Sequence, residues 1–319
     1  MELSLCLQVL YHLPFEKALA TAADLGFEAV ELAVDAKSPF VSLEACLEDR
    51  GRSLKRALQD HGLRLSALSN HQEGQLLLGP HGSDTDGIFS GRPEEKVAYA
   101  SQRLAQSAAL AEMLEVEVLC GFTGCEDYSR WFPWPDVGAY GAMGPILKER
   151  LLPLLDTFQA HGVRFAHECH PRQFAYNLET AEWALELLDH HPGFGFNFDP
   201  ANLMLAGMDP VVFAETLAPR IWHGHAKDGE LVAQHAGRSG LLAHGPWGRP
   251  GRGFRFRIPG WGDLNWRRLI TALHVGGFTG HLALEHEDPT MSRLEGLRQG
   301  QRFLAPLLLR EPPEEGRWW

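Results

Sequence analysis

The sequence lacks an apolar run that could cross a membrane and a basic segment at its start. A membrane span needs roughly 18 uninterrupted apolar residues, and no segment approaches that length. The opening stretch, MELSLCLQVLYHLPFE, has no positively charged region followed by a long apolar run, so it does not resemble a secretory signal. We therefore expect a cytoplasmic protein with no membrane partner.

Cysteine is also scarce. The five cysteines are odd in number, scattered, and form no CxxC pair: Cys6, Cys46, Cys120, Cys125 and Cys169. This pattern predicts neither a disulfide framework nor a structural zinc site, and it fits a reducing compartment.

Positive charge is in deficit. Lys and Arg together number 29 against 41 Asp and Glu, which gives a formal net charge of −12. Nucleic-acid-binding proteins normally present a basic face to phosphates, so we expect no nucleic-acid partner. The composition, 45% hydrophobic and 22% charged, is that of a globular protein with a large core.

A junction of helix, glycine or small turn, and short apolar strand recurs along the chain. Its six instances are at 23–32, 59–68, 159–168, 190–199, 217–226 and 275–285. Glycine after a helix is a common stop, and the short apolar runs that follow suit buried strands. We also predict strands at 3–7 and 116–122, which are not preceded by such a glycine. This makes eight candidate strands.

Helical segments alternate with these strands. We predict helices at about 15–24, 42–60, 93–114, 145–160, 179–189, 209–217, 263–274 and 292–308. Alternation of strand and helix predicts a parallel sheet with crossover helices. Eight such units favour a closed (β/α)8 TIM barrel, so we predict an α/β fold with a single domain over residues 1–319.

Three segments are too long for a minimal barrel: 69–92, 123–144 and 227–262. Each follows a predicted strand, on the face where barrel active sites are built. Long loops in compact domains are usually functional or disordered, and their aromatic content argues against disorder. We predict that they form the walls and lid of a pocket. The tail EPPEEGRWW could pack on the barrel or on a second subunit, which leaves a homo-oligomer open.

The last four predicted strands end in acidic or imidazole side chains. These are Glu168, Asp199, His225 and Glu285. Neighbouring barrel strands lie about 4.8 Å apart, so four strand ends can converge on one ion. One imidazole with three carboxylates suits a divalent metal, with Mn²⁺, Co²⁺ or Mg²⁺ favoured and Zn²⁺ compatible. A single such carboxylate is more often a helix cap, and Asp199 before Pro200 could cap the next turn.

Other polar residues near the strand ends are candidates for substrate binding. They are Asn70, His71, His170, Asn202, His223, Lys227, Arg257 and Trp131. Both His170 and His223 could instead be hydrogen-bonded core histidines, and Lys227 could form a surface ion pair with Asp228. Arg257 could reach an anionic group of the substrate. Trp131, with Trp134, could stack on a sugar face or fill the core of a loop.

At these residues the sequence resembles the xylose isomerase-like TIM-barrel superfamily, in particular its sugar phosphate isomerase/epimerase group with inosose dehydratase-like proteins. The stretches that carry the resemblance are SNHQEGQL, AHECHP, GFNFDPANLMLAGMDP, RIWHGHAKD, RIPGWGDLNW and GFTGHLALEHED. The resemblance implies one divalent metal held by Glu168, Asp199, His225 and Glu285. It also implies, from the related ketose 3-epimerases, that Glu168 and Glu285 act as the acid–base pair.

The sequence departs from those epimerases at two positions. Asn202 stands where they carry a histidine three residues after the metal aspartate, and Leu231 stands where they carry an arginine. Epimerase specificity is therefore not transferred with the fold.

The leading hypothesis is a metal-dependent isomerase or epimerase of a sugar, keto-sugar or inositol derivative that works through an enediolate. A metal next to a carbonyl acidifies the adjacent C–H, and a positioned carboxylate removes that proton. The same abstraction would make a dehydratase or other lyase if a leaving group stood at the β-position. An endonuclease with a three-zinc cluster shares this fold but is disfavoured by the net charge. A non-catalytic sugar-binding barrel is disfavoured by the complete set of four ligands.

Overall fold

Eight parallel strands form the frame of the molecule, and two further strands form a separate antiparallel pair. The computed structural model describes residues 1–130 and 135–311. The strands are β1 (Glu2–Cys6), β2 (Ala29–Ala33), β3 (Arg64–Asn70), β4 (Val118–Gly121), β5 (Arg164–Glu168), β6 (Phe194–Phe198), β7 (Ile221–Ala226), β8 (Asp228–Leu231), β9 (Phe254–Arg257) and β10 (His281–Leu284). The barrel closes in the order β1-β10-β7-β6-β5-β4-β3-β2, which confirms the predicted TIM barrel.

Helices connect the strands around the outside of the barrel. They are α1 (Phe15–Asp24), α2 (Leu43–Glu48), α3 (Arg52–Asp60), α4 (His71–Gly74), α5 (Pro93–Leu114), α6 (Met143–Ala160), α7 (Leu178–Leu187), α8 (Pro200–Leu205), α9 (Pro210–Leu217), α10 (Ala233–Ser239), α11 (Trp266–Val275) and α12 (Arg293–Leu304). In the described ranges, no helix is both long and apolar enough to span a membrane.

Glycine ends the helix as predicted at the junctions 23–32, 59–68 and 159–168, whereas next to the junction 190–199 the positive-φ residues are Asp189 and His190. Gly26, Gly62 and Gly162 follow α1, α3 and α6 with φ of +85°, +66° and +69°. Side chains rarely adopt this left-handed conformation, so glycine ends each helix and turns the chain back into the sheet. Buried strands such as β2 and β6 follow, since an all-parallel barrel covers both faces of its strands.

The structure differs from the predicted elements in two ways. The helix predicted over 42–60 is divided into α2 and α3 at Gly51, whose φ is +69°. Residues 227–262, predicted as a loop, contain α10 and the antiparallel pair β8–β9, in which Asp228 lies opposite Arg257. The alternating residues of FRFR give β9 one buried and one partly exposed face.

Four adjacent strands position the candidate site. The strands β5, β6, β7 and β10 are consecutive in the barrel, and Glu168 on β5 is in register with Asn197 on β6. The carboxyl ends of parallel strands lie on one face of a barrel. The side chains that end these four strands therefore meet at one mouth.

Candidate metal centre

The imidazole of His225 lies at the centre of the predicted group. Its Nδ1 is 3.1 Å from Glu168 Oε2 and 3.3 Å from Glu285 Oε2. Donor atoms of Glu168, Asp199 and His225 all lie within 4.8 Å of one another. The structure thus brings together the four side chains that the sequence singled out.

Asp199 combines the two roles that the sequence left open. Its Oδ1 accepts hydrogen bonds from the backbone N–H groups of Ala201 and Asn202, at 2.9 and 3.1 Å, and so caps α8. Its Oδ2 accepts a bond from the Asn202 side chain at 2.7 Å and points into the cluster. The cap fixes one carboxylate oxygen and leaves the other facing the site.

Three side chains hold Glu168 in place. Asn202 Nδ2 donates to its Oε1 at 2.8 Å, and Asn197 Nδ2 donates to its Oε2 at 3.0 Å. His71 Nε2 lies 3.1 Å from the same Oε2. The substitution of Asn202 for the epimerase histidine therefore places an amide between Glu168 and Asp199.

Lys227 is buried among carboxylates. Its Nζ lies 2.9 Å from Asp199, 2.8 Å from Glu285 and 3.1 Å from Glu287. A lysine is almost never fully buried unless it is paired. Lys227 therefore belongs to the site, and the alternative of a surface ion pair with Asp228 was wrong. Asp228 instead accepts hydrogen bonds from the start of α11 and from the segment before it.

Glu31 on β2 is a member of the site that the sequence did not single out. Its Oε2 lies 2.9 Å from His225 Nε2, on the side of the imidazole away from Glu168. The detectable signal was a carboxylate within the apolar strand AVELA, whose five residues are all buried. His223 lies beside it, with Nδ1 3.7 Å from Glu31.

These charged groups shift one another's pKa values. Burial would raise the pKa of Glu31, but His225 lowers it to about 2. Burial would lower the pKa of His225, but Glu31, Glu285 and Glu168 raise it well above its usual value. Burial raises the pKa of Asp199 to about 7, although Lys227 opposes that shift. A metal would have to displace the proton from the ring nitrogen that binds it, so binding would release protons.

A cavity of about 360 Å³ opens above this cluster. Its walls include His71, His170 and Asn202, and its lid side carries Trp247 and Phe256 from the β8–β9 region. The Trp247 and Phe256 rings pack with centroids 5.0 Å apart. Of the three long segments predicted to wall the pocket, 69–92 contributes His71 and Gln72, and 227–262 contributes Trp247 and Phe256, whereas no described residue of 123–144 lines this cavity.

Three of the proposed substrate contacts lie elsewhere. Asn70 is fully buried, caps α4, and donates to Glu73 and Ser107. His223 is buried below the cluster and forms hydrogen bonds with Asn197 and Ser66. It is therefore a hydrogen-bonded core histidine and not a substrate contact. Arg257 is held by two acids.

Arg257 does not line this cavity, and two carboxylates hold its side chain. Its Nη1 donates to Glu230 at 2.8 Å and its Nε to Asp288 at 2.9 Å. The prediction of an anion-binding arginine was wrong because 227–262 was read as a loop, whereas β9 directs Arg257 to acids beside it. Trp131 and Trp134 lie outside the described residues.

The donor set fits one divalent ion. His225 Nδ1 and Glu285 Oε2 are buried. Although Nδ1 lies 3.1 Å from Glu168 and Oε2 lies 2.8 Å from Lys227, neither atom makes a hydrogen bond of suitable angle within the described residues. Burying several carboxylates is costly unless cations neutralise them, and Lys227 and His225 supply limited positive charge. These features favour a cation bound by Glu168, Asp199, His225 Nδ1 and Glu285.

Comparison with known proteins gives the same fold. The chain is 27% identical to the uncharacterized protein YfiH of Bacillus subtilis over 328 residues, which covers 93% of this chain and 96% of YfiH. The probable 3-DHS dehydratase AsbF of Bacillus anthracis superposes with a TM-score of 0.67 at 18% identity, covering 96% of this chain and 99% of AsbF.

Two further structures superpose equally well. The IolI protein, crystallised with a bound zinc atom, has a TM-score of 0.68 at 16% identity and covers 97% of this chain and 98% of its own. The 3-keto-D-glucoside 4-epimerase YcjR of E. coli has a TM-score of 0.68 at 14% identity, and the superposition covers 96% of this chain and 98% of YcjR.

The match to a family model is the most specific of these findings. Residues 19–307 match the model described as the xylose isomerase-like TIM barrel. The matched range contains β2, the strand of Glu31, and all four strand ends of the candidate centre. The chain belongs to the xylose isomerase-like TIM-barrel family.

Proposed function

We propose that the protein is a divalent-metal-dependent isomerase or epimerase of a sugar, keto-sugar or inositol derivative. The observation that carries the proposal is the convergence of Glu168, Asp199 and Glu285 on His225 Nδ1 at the floor of a cavity. A bound ion would supply Lewis acidity that weakens the C–H next to a substrate carbonyl. The family and its epimerase and dehydratase neighbours support this class of reaction.

Glu168 and Glu285 are proposed as the acid–base pair. Their Oε2 atoms lie 3.1 and 3.3 Å from the same atom, His225 Nδ1. In this proposal one carboxylate takes the proton from the carbon next to the carbonyl, and the other returns a proton to the resulting enediolate. The side chain of Glu285 is 21% exposed and that of Glu168 5%, so Glu285 has the freer access to substrate.

The cavity walls suit a polyhydroxylated substrate. His71 and His170 provide imidazole groups, and Phe122 lies between them with ring centroids 4.7 and 5.3 Å away. Trp247 offers a flat apolar face on the lid side. Hydroxyl recognition by polar groups together with an aromatic face is the combination that a sugar ring needs.

A dehydratase is the second candidate, and Lys227 is the observation that favours it. Its ammonium group lies 2.8 Å from Glu285, at the edge of the cavity. A proton donor beside the base could protonate a departing hydroxyl, so that abstraction would end in loss of water. Isomerisation and dehydration share their first step and differ in the product.

Solvent exchange tests the proposal and separates the two reactions. The protein would be incubated with Mn²⁺ and a panel of keto-sugars and keto-inositols in deuterated water, and products would be followed by NMR. Deuterium on the carbon next to the carbonyl, with a change of configuration or carbonyl position, is the expected result. Loss of water would identify a dehydratase, and no exchange on the whole panel would contradict enediolate chemistry.

Matched variants assign the exchange to the proposed pair. Glu168→Gln and Glu285→Gln should reduce exchange by about 10²-fold or more, the usual contribution of a general acid or base. Glu230→Gln serves as the control, because Glu230 pairs with Arg255 and Arg257 and does not line the cavity. Near-normal exchange in both Glu168→Gln and Glu285→Gln would contradict the assignment.

A further inference from the structure

We propose that Glu31 is the positioning residue for the His225 ligand. It accepts the Nε2–H bond of His225 and thereby turns Nδ1 towards Glu168, Asp199 and Glu285. The inference rests on the proposed function, because it assigns His225 to a metal. It adds a residue from the opposite part of the barrel to the centre.

The geometry of Glu31 is that of a built contact. The carboxylate is 1% exposed, and its Oε2 lies 2.9 Å from His225 Nε2, although the two residues are 194 positions apart in the chain. Among the described residues its ion-pair partners are His223 and His225, with no lysine or arginine. A buried carboxylate needs such a partner, because an unpaired one is costly.

The surrounding bonds decide which ring nitrogen faces the ion. His223 Nδ1 lies 3.0 Å from Asn197 Oδ1, which turns the Asn197 amide nitrogen towards Glu168. That nitrogen lies 3.2 Å from His225 Nε2 and can only donate. Glu31 Oε2, at 2.9 Å from the same Nε2, can only accept, so Glu31 is the partner that an Nε2–H needs. A histidine that gives its outer N–H to a carboxylate presents its other nitrogen to a metal in a fixed orientation.

A second ion in the floor is the rival explanation, because donor atoms of Glu31, His223 and His225 also lie within 4.8 Å of one another. The contacts of His223 argue against it. Its Nδ1 lies 3.0 Å from Asn197 Oδ1 and its Nε2 lies 3.3 Å from Ser66 Oγ. Both ring nitrogens are therefore already engaged.

Metal titration of the full chain tests the assignment. Glu31→Gln keeps the shape of the side chain and removes its charge, and calorimetry with Mn²⁺ or Zn²⁺ should show an affinity about 10- to 100-fold weaker than wild type. The stoichiometry should remain one ion per chain. Glu73→Gln is the control, because Glu73 is equally buried but pairs with Arg103 and does not contact His225.

Nitrogen-15 NMR of the zinc-loaded protein gives a readout independent of affinity. In the wild type, His225 should carry its proton on Nε2 and bind zinc through Nδ1. The Nε2–H resonance should shift in Glu31→Gln and move back in Glu31→Asp, which restores the charge. Glu31→Asp also serves if the glutamine variant does not fold.

Three outcomes would overturn the inference. If Glu31→Gln bound the metal with wild-type affinity while Asp199→Asn lost binding, Glu31 would have no positioning role. The proposed function would not be affected. Two ions in the wild type and one in Glu31→Gln would make Glu31 a ligand. No divalent ion in the wild type would contradict the proposed function itself.

Discussion

At the residue scale, the centre depends on a balance between carboxylates and few cations. Lys227 contacts two of the proposed ligands, at 2.9 Å from Asp199 and 2.8 Å from Glu285. Removing one partner of a buried ion pair usually costs about 3–5 kcal/mol, because a charge is left without a partner. A bound divalent ion would supply the missing positive charge to the same carboxylates.

This balance predicts a metal-dependent effect of Lys227→Met. The variant should lose more stability in the presence of a chelator than with saturating Mn²⁺, as measured by urea unfolding under both conditions. Lys96→Met is the matched control. Lys96 is a buried lysine bonded to the His81 and Gly82 carbonyls, away from the centre.

The control should lose the same stability with and without metal. If Lys227→Met behaved in the same way, Lys227 would not be compensating the ligand charges.

The four proposed ligands could be singled out from the sequence, but the side chains that hold them in place could not. Glu168, Asp199, His225 and Glu285 stand at strand ends, and the parallel barrel forces strand ends together. Glu31 occupies the middle of an apolar strand, and only its contact across the barrel explains it. Asn70 could not be separated from a substrate contact, because caps and contacts use the same polar residues at the end of a strand.

At the element scale, the β8–β9 region brings an aromatic wall to the cavity. Trp247 lies between these strands, lines the cavity, and has the Arg252 guanidinium 3.9 Å from its ring centroid. Asp228 anchors the base of the pair by accepting bonds from Gly260, Leu264 and Trp266. Trp247 is therefore held in place and not merely exposed.

Trp247→Ala should weaken substrate binding with little change in kcat. An aromatic contact contributes about 0.5–1.5 kcal/mol, so KM should rise roughly twofold to tenfold. A rise in KM at constant kcat indicates binding that the ground and transition states share. Trp261→Ala is the control, because Trp261 is 51% exposed and does not line this cavity.

Steady-state kinetics on the substrate found by exchange would check this. An unchanged KM in Trp247→Ala, or an equal rise in Trp261→Ala, would exclude Trp247 from the binding site.

The contact between β9 and the segment after β10 makes stability depend on pH. Burial would raise the pKa of Asp288, but the Arg257 guanidinium, Thr290 and the Ile258 N–H lower it below its usual value. The folded protein therefore binds fewer protons here than the unfolded chain. The stabilisation is complete above the unfolded pKa, about 3.9, and is lost as the pH falls through the lower folded pKa.

Asp288→Asn should therefore cost a constant amount of stability at neutral pH and progressively less in acid. Urea unfolding of both proteins with a chelator, from about pH 7 down to about pH 3, measures the difference. A difference that stayed constant down to the lowest pH would show that the Asp288 charge does not stabilise this contact.

The elements of the barrel could be predicted from sequence, whereas the lid could not. Glycine stops and buried apolar runs are local signals, and they locate the strands and most helices. The pairing of β8 with β9 joins segments separated by more than twenty residues. The alternating FRFR stretch is also compatible with a charged loop. For this reason Arg257 was predicted to contact the substrate, whereas it pairs with Glu230 and Asp288.

At the scale of the whole molecule, the order of the strands in the barrel explains why the four proposed ligands lie on one side. The strands of the four proposed ligands are neighbours, and β2, which carries Glu31, lies three strands from β7 around the barrel. Closure of the barrel brings Glu31 and His225 face to face across its interior. An open sheet with the same strands would leave that contact unmade.

Anomalous diffraction from crystals grown with Mn²⁺ tests the central claim most directly. We predict one strong anomalous peak per chain, bounded by Glu168, Asp199, Glu285 and the Nδ1 atom of His225. The Nε2 atom of His225 should remain bonded to Glu31. No peak at this position, or a peak between Glu31 and His223 in its place, would contradict the account.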